Sequence, residues 1–347
     1  MNGSTLLQST AAGLYCPDGD FHIDPWLPVP RAVITHAHSD HLRWGCGSYL
    51  VAAPGLAVTR ARLEAGVSVQ AVPYGEVVRF GGVQLSLHPA GHILGSAQVR
   101  VEKRGEVWVV SGDYKREPSP TCAPFEPLRA HTFVTESTFG LPIFRWPAEG
   151  AVFDAINVWW RANAAVGRAS LLYGYALGKA QRLLAGVDAG IGPIATHGAV
   201  ERLNELYRGE GIALPDTVSV STMPARAGAW GGALIVAPPS AHGSPWTRRF
   251  GEASTAFASG WMRIRGTRRR RAVDRGFVLS DHADWSGLIE TIAETGAERV
   301  WVTHGYSAPL ARLLGEHGLD AMALATQFAG ERDDVADAGA PVEGQTE

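Results

Sequence analysis

Cysteine is scarce in this 347-residue chain: Cys16, Cys46 and Cys122 are scattered and form no C-x-x-C pair. That excludes a disulfide framework. No apolar run approaches the ~18 residues of a membrane span, so no membrane partner is expected. Residues 1–10 lack the basic start and apolar centre of a signal peptide, and a cytoplasmic location is expected. No internal repeat is visible. What is present, 46% hydrophobic and 19% charged residues, is an ordinary soluble globular composition. The length allows a large core and two lobes.

The net charge of −3 is unevenly spread. Residues 331–347 carry six acids against one Arg, and their Asp, Glu, Ala and Gly content reads as a disordered acidic tail. Between Arg263 and Arg275, by contrast, seven of thirteen residues are Arg, among them Arg263, Arg265, Arg268, Arg269, Arg270 and Arg271. Such a run is either a solvated face or a contact for a polyanion, because Arg forks pair bidentately with phosphate.

The densest chemistry lies in Thr35-His36-Ala37-His38-Ser39-Asp40-His41, directly after the apolar run Ala32-Val33-Ile34. A strand here delivers three imidazoles and a carboxylate to a turn, where they can converge. Imidazole nitrogen and carboxylate oxygen suit a borderline cation such as Zn²⁺. His36 and His38 share one side of an extended backbone. Asp40 and His41 follow at the turn and can face a second ion. Asp24 closes the short strand Phe21-His22-Ile23 just before this loop. It is expected to bond loop N–H groups behind the ligands rather than to bind metal.

Short Val-rich strands then recur, and two end suggestively: His92 sits between Gly91 and Gly95, and Asp113 follows the apolar run ending at Ser111. Either alone would read as structural; together they supply what the first cluster lacks. From about residue 145 to 259 the texture changes to helical patterns alternating with short strands, which predicts an inserted βαβ-type unit with a parallel sheet. His197 and His242 in that stretch are read as structural or peripheral. Beyond the Arg-rich stretch the earlier style returns, and His282 and His304 again stand at strand ends.

In this order the residues resemble a metallo-β-lactamase-fold nuclease of the β-CASP type. The resemblance runs from Asp24 to His304. The His36/His38/Asp40/His41 motif marks only the superfamily. More specific are Ala90-Gly91-His92 with Leu94-Gly95-Ser96, Glu136-Ser137-Thr138-Phe139-Gly140, and Ala176-Leu177-Gly178-Lys179-Ala180-Gln181. Ser259-Gly260-Trp261-Met262, the segment Ser280–Asp284 and Thr303-His304-Gly305 complete the set. Gly13-Leu14-Tyr15-Cys16-Pro17 and Ile23-Asp24-Pro25-Trp26 are most similar to the bacterial ligase-associated DNA exonucleases, which act beside an ATP-dependent DNA ligase and a helicase.

The resemblance implies an α/β fold, a metallo-β-lactamase αββα sandwich with an inserted β-CASP cap. The expected division is 1–144 and 260–330 for the first domain, 145–259 for the cap and 331–347 for the tail. It implies two divalent ions, Zn or Mn: His36, His38 and His92 on one, Asp40, His41 and His304 on the other, and Asp113 bridging. A hydroxide activated by the two ions would attack phosphorus in line. His282 would protonate the leaving oxygen, with Glu136 orienting it. The cap and Arg-rich stretch would grip the strand by its phosphates, and Lys115 and Arg116 would hold the phosphate next to the scissile one.

A His at position 304 goes with RNA processing in the wider family, whereas the other motifs place DNA first, as a single strand or a duplex end, in DNA repair. An RNase of the same architecture is the alternative. A non-catalytic scaffold is disfavoured because every ligand position is filled. A lactonase or thiolesterase is disfavoured by the cap and the Arg-rich stretch.

Overall fold

The strands that lead into His36, His92, Asp113, Glu136 and His304 belong to two sheets packed face to face. The computed structural model describes residues 5–222, 229–266 and 272–326. The first sheet is laid down in chain order: β1 (Gln8–Thr10), β2 (Gly13–Cys16), β3 (Phe21–Ile23), β4 (Ala32–Val33), β5 (Ser48–Ala52) and β6 (Ser68–Val72). The second starts as an antiparallel run of β7 (Val78–Phe80), β8 (Val83–Pro89), β9 (Ala97–Lys103) and β10 (Glu106–Val110). β11 (Thr132–Glu136) then joins β10 in parallel.

The chain next builds a sheet of its own, with every pairing parallel: β12 (Ser170–Tyr173), β13 (Ile194–Thr196), β14 (Val218–Ser219), β15 (Leu234–Ala237), β16 (Ser254–Ala258) and β17 (Arg275–Phe277). Their spatial order is β14-β13-β15-β12-β16-β17. It then returns to the second sheet, where β18 (Arg299–Thr303) lies beside β11 and β19 (Asp320–Ala323) beside β18. This arrangement is mixed α/β with several sheets and is consistent with a metallo-β-lactamase fold. β17 differs from expectation. Sequence style assigned residues 260–330 to the first domain, but Ala256, Phe257 and Ala258 pair with Arg275, Gly276 and Phe277, so the third sheet runs past the Arg-rich stretch.

Period-two alternation explains the main core. Val83, Leu85 and Leu87 of β8, Val99 and Val101 of β9, and Trp108 and Val110 of β10 point inward against Val33, Leu50 and Ala52 of the first sheet. Burial of each such side chain contributes about 1.5–3 kcal/mol. The outer face of the second sheet, including Val109, Phe133, Val300 and Val302, is covered by α5 (Trp285–Thr295) and α6 (Ser307–Glu316) through Ile292, Leu310 and Leu314. The outer face of the first sheet meets α1 (Leu56–Arg60) and, less predictably, Leu203 and Tyr207 of α4 (Gly198–Gly209). Thus a helix from the third-sheet unit packs on the first sheet.

The third sheet is covered on both sides, which explains its uninterrupted apolar strands. One face carries α2 (Glu149–Ala165) and α3 (Lys179–Gly186), and the other carries Trp230 and Phe250. His197 caps α4, its ring nitrogen accepting from the Ala199 N–H at 3.1 Å, and His242 packs edge-on against Tyr173. Among the described residues no helix is long and apolar enough to cross a membrane. The acidic tail and Arg268–Arg271 lie outside the described residues.

Candidate metal centre

The ligand candidates arrive from strand ends on both packed sheets. β4 delivers His36, His38, Asp40 and His41; the β8–β9 turn delivers His92; β10, β11 and β18 deliver Asp113, Glu136 and His304. Two glycines make the approach possible. Gly112 has φ +56°, and a Cβ there would lie 2.6 Å from the Thr35 side chain. Gly305, at φ +65°, lets the chain after His304 pass within reach of the Ser137 carbonyl, which accepts from the Tyr306 N–H at 2.9 Å. His304 itself has φ +55°, an uncommon setting for a residue with a side chain.

Three groups of side chains converge, each with ligand atoms within 4.8 Å of one another: His36, His38, His92 and Asp113; Asp40, His41 and His304; Asp113, Glu136 and His282. All seven residues expected to bind metal therefore come together, and Asp113 touches more than one group. Its Oδ2 lies 3.4 Å from Nε2 of His41, 3.6 Å from Nε2 of His36 and 3.9 Å from Nε2 of His92. His36, His41, His92 and Asp113 are buried, whereas His38, Asp40 and His304 are half-buried and form the open side.

Hydrogen bonds behind the rings fix which nitrogen faces inward. Thr35 donates its hydroxyl to Asp24 Oδ2 at 2.6 Å, leaving the hydroxyl oxygen to accept from Nδ1–H of His36 at 3.1 Å. Nδ1 of His41 lies 2.7 Å from Asp24 Oδ2, Nε2 of His38 lies 3.2 Å from the Leu177 carbonyl, and Nδ1 of His92 lies 2.8 Å from the Asp281 carbonyl. Carbonyl and carboxylate oxygens only accept, so each of these nitrogens carries the proton. Asp24 thus stands behind the cluster, as expected, with Oδ1 also accepting from the Thr35 N–H at 2.8 Å.

The inward nitrogens are then lone pairs that face one another. Nδ1 of His38 is 3.0 Å from Nε2 of His36 and 3.2 Å from Nε2 of His92. Neutral lone pairs at this distance repel, and a shared cation resolves the conflict. Nitrogens bound tetrahedrally at 2.0–2.1 Å stand about 3.3 Å apart, close to the observed spacing. Buried Asp113 Oδ1 and His41 Nε2 make no hydrogen bond among the described residues. The residues fit divalent metal.

Electrostatics agree. Burial, helped by the charge of His41, pushes His36 well below its ordinary value; burial and then His282 do the same to His92. Burial and then His41 also lower His304. Burial would lower His41 too, but Asp113, Asp40 and Asp24 overcome it and raise it well above the usual imidazole value. Burial would raise Asp113, but His41 and then His282 hold it well below the carboxylate range. The charged form is thus disfavoured at His36, His92 and His304 and favoured at Asp113, while carboxylates favour the proton of His41.

His282 and Glu136 form a buried pair beside this cluster. Glu136 also accepts from the Tyr114 N–H at 2.7 Å, and Nδ1 of His282 lies 4.0 Å from Asp113 Oδ2. Phe139 packs edge-on against the His282 ring. The Trp146 indole donates to the His282 carbonyl at 2.9 Å.

Two side chains expected to hold phosphate are placed elsewhere. Lys115 is 2% exposed; its ammonium donates to the Glu117 carbonyl at 2.5 Å and lies 3.5 Å from Glu149. Arg116 grips Glu294 with both terminal nitrogens, at 2.7 and 2.9 Å, and donates to Thr291. Proximity in sequence to Asp113 was misleading, because the chain turns away after the strand end. Arg263 and Arg265 are exposed, and Arg263 donates to the Ile143 carbonyl at 3.2 Å.

Sequence reasoning missed Asp281, Lys179, Arg182 and the Leu177 carbonyl. A signal existed for Lys179: a cation in the first turn of a helix opposes the helix dipole, so an anion partner is implied.

No protein-family model matches the chain. It is 32% identical over 315 residues to a probable DNA ligase of Opitutus terrae, an alignment covering 90% of this chain and 30% of that protein. It is 27% identical over 187 residues to cleavage and polyadenylation specificity factor 73 of Drosophila melanogaster, covering 48% of this chain and 27% of that one. It is 28% identical over 187 residues to the endoribonuclease ysh1 of Schizosaccharomyces pombe, covering 48% and 24%. These relatives support a metallo-β-lactamase/β-CASP nuclease family. The chain spans less than a third of the length of each. A protein of unknown function from Enterococcus faecalis V583 shares the fold, with a TM-score of 0.54, 10% identity and 78% and 74% of the two chains covered.

Proposed function

We propose that the chain is a cytoplasmic, metal-dependent phosphodiesterase that hydrolyses DNA, as an exonuclease acting in repair beside an ATP-dependent DNA ligase and a helicase. The observation that carries it is the convergence of His36, His38, His92, Asp113, Asp40, His41 and His304 next to the buried His282–Glu136 pair. The DNA assignment rests on the likeness over 90% of the chain to a protein named as a DNA ligase. A ligase partner is supported by the same relative, in which a segment like this chain lies within one polypeptide carrying that name. Residues 145–279 form the cap, and the pairing of β17 with β16 supports including residues 260–279 in it. Residues 1–144 and 280–330 form the catalytic domain, and 331–347 the acidic tail.

Two divalent ions, Zn or Mn, would supply Lewis acidity toward the phosphate and toward the attacking water. His36, His38 and His92 would hold one, Asp40, His41 and His304 the other, with Asp113 beside both groups. His282 gives a proton to the leaving alkoxide, and Glu136 keeps that proton on the ring and the ring in place. Asp24 fixes His41 and, through Thr35, His36.

An RNase of the same architecture is the second reading. It is favoured by His304 and by the likeness of half the chain to the endoribonuclease ysh1. Single-stranded DNA and RNA of one sequence, labelled at either end, separate the two in a time course with added Mn²⁺ or Zn²⁺. Stepwise shortening of DNA from one end, lost in Asp113→Ala, is expected. Preferential cleavage of RNA would replace the DNA reading, and cleavage of neither would end both.

A further inference from the structure

A group of buried ion pairs lies directly behind the candidate metal centre. The Asp281 side chain is 4% exposed, with Lys179 Nζ 2.8 Å from Oδ2 and Arg182 Nη1 2.8 Å from Oδ1. Arg182 also donates to the Ser280 carbonyl, and its other side is gripped by Glu149 of α2, Nε to Oε1 at 3.0 Å. Lys179 and Arg182 stand in the first turns of α3, which packs on the third sheet. The main-chain carbonyl of the same Asp281 accepts from Nδ1 of His92.

We propose that Asp281 is a positioning residue. Clamped by Lys179 and Arg182, it aims its carbonyl so that His92 presents Nε2 to the metal, and so ties α3 to metal affinity. This rests on the metal-dependent reading given above.

Three observations carry it. Two ionised oxygens are needed to pair Lys179 and Arg182 at once, and an amide at 281 offers one acceptor and no charge, so the carboxylate of Asp281 serves to fix one segment, 280–282. Arg182 holds that segment by side chain and backbone at once, which limits rotation of the Asp281 peptide. The residues that follow have anchors of their own: Ala283 N–H donates to the Tyr114 carbonyl at 2.7 Å, Trp146 bonds the His282 carbonyl, and Glu136 holds the His282 ring. Loss of the clamp therefore acts on His92 and spares His282. A partner behind a metal-bound imidazole commonly changes metal affinity by about 10–100-fold.

The test is Zn²⁺ titration of the full chain against a chromophoric chelator, without nucleic acid, with folding checked by circular dichroism. In Asp281→Asn one zinc equivalent should weaken by about 10–100-fold. The other should stay close to wild type. In His92→Ala the same equivalent is lost, and adding Asp281→Asn should weaken binding no further. A folded Asp281→Asn with unchanged affinities overturns the proposal, as does a loss that adds fully to His92→Ala. Should Asp281→Asn not fold, Lys179→Met leaves Arg182 on Asp281; a smaller loss at the same equivalent supports the clamp, and no loss overturns it. Wild-type protein that binds neither Zn²⁺ nor Mn²⁺ would instead remove the metal reading itself.

Discussion

Glu136 holds Nδ1 of His282 between both its carboxylate oxygens, at 2.8 and 3.1 Å, with each side chain only 2% exposed. A carboxylate this far from water is stabilised by a positive or strongly donating partner, and the imidazole supplies it. The pair stands in contact with Asp113 and so next to where a phosphate would be cleaved.

Replacing Glu136 by Gln keeps the shape and one acceptor for Tyr114 N–H but removes the charge that holds a proton on His282. Turnover should fall by about 10²–10⁴-fold, the usual contribution of a positioned acid. Zinc content should be unchanged, since Glu136 is not among the seven proposed ligands. Single-turnover rates alongside metal analysis check both. Turnover close to wild type would remove His282 from the reaction.

His41 leads to a second expectation. Burial opposes its charge, but Asp113, Asp40 and Asp24 raise it well above the ordinary imidazole value, so the metal-free ring holds its proton more tightly than a free imidazole does. The sign follows directly. A raised group stabilises the metal-free fold fully below about pH 6.5, and that contribution fades as pH rises through the folded value. A ligand ring must be neutral, so Zn²⁺ binding at pH 7 should release about one proton from this residue. His36 and His92, both lowered, should release none. Calorimetry in two buffers of different ionisation enthalpy measures the count, and His41→Ala should reduce it by about one. Equal heats in both buffers would contradict the assignment.

Much of this centre was legible because the chemistry is written at strand ends. Val and Ile runs predict strands, the residues after them are released together at one edge, and His36, His38, Asp40 and His41 needed only His92, Asp113 and His304 from other strands. Asp24 was legible for the same reason, lying one residue beyond β3. What was hidden is what depends on pairing and direction. Nothing in Arg275-Gly276-Phe277 says that its partner is β16 rather than a strand of the second sheet. Lys115 and Arg116 follow Asp113 by two and three residues, yet Glu149, which pairs with Lys115 alongside the local Glu117, and Glu294, which pairs with Arg116, are contributed by distant helices. The Asp281 clamp joins residues about a hundred positions apart, and a buried charge whose partner lies that far away leaves no local pattern.

That difference between nearby sequence and available side chain yields the last prediction. Arg263 and Arg265 are exposed and adjoin the Arg-rich stretch, whereas Arg116 is committed to Glu294, an ion pair with side chains 21% and 44% exposed. A partly solvated pair of that kind is worth about 1 kcal/mol at most, so Arg116→Ser should cost little stability. It should also leave nucleic-acid binding unaltered, because its guanidinium has no free edge to offer a phosphate. Arg263→Ser with Arg265→Ser takes away two cations that can neutralise phosphates. The slope of log K against log salt for single-stranded DNA should then become shallower by about 0.7 for each phosphate no longer neutralised. Fluorescence anisotropy between about 50 and 200 mM salt spans the range where such slopes are read. A slope that changes with Arg116→Ser and not with the double variant would move the strand path to the α5 side of the molecule, away from the Arg-rich stretch.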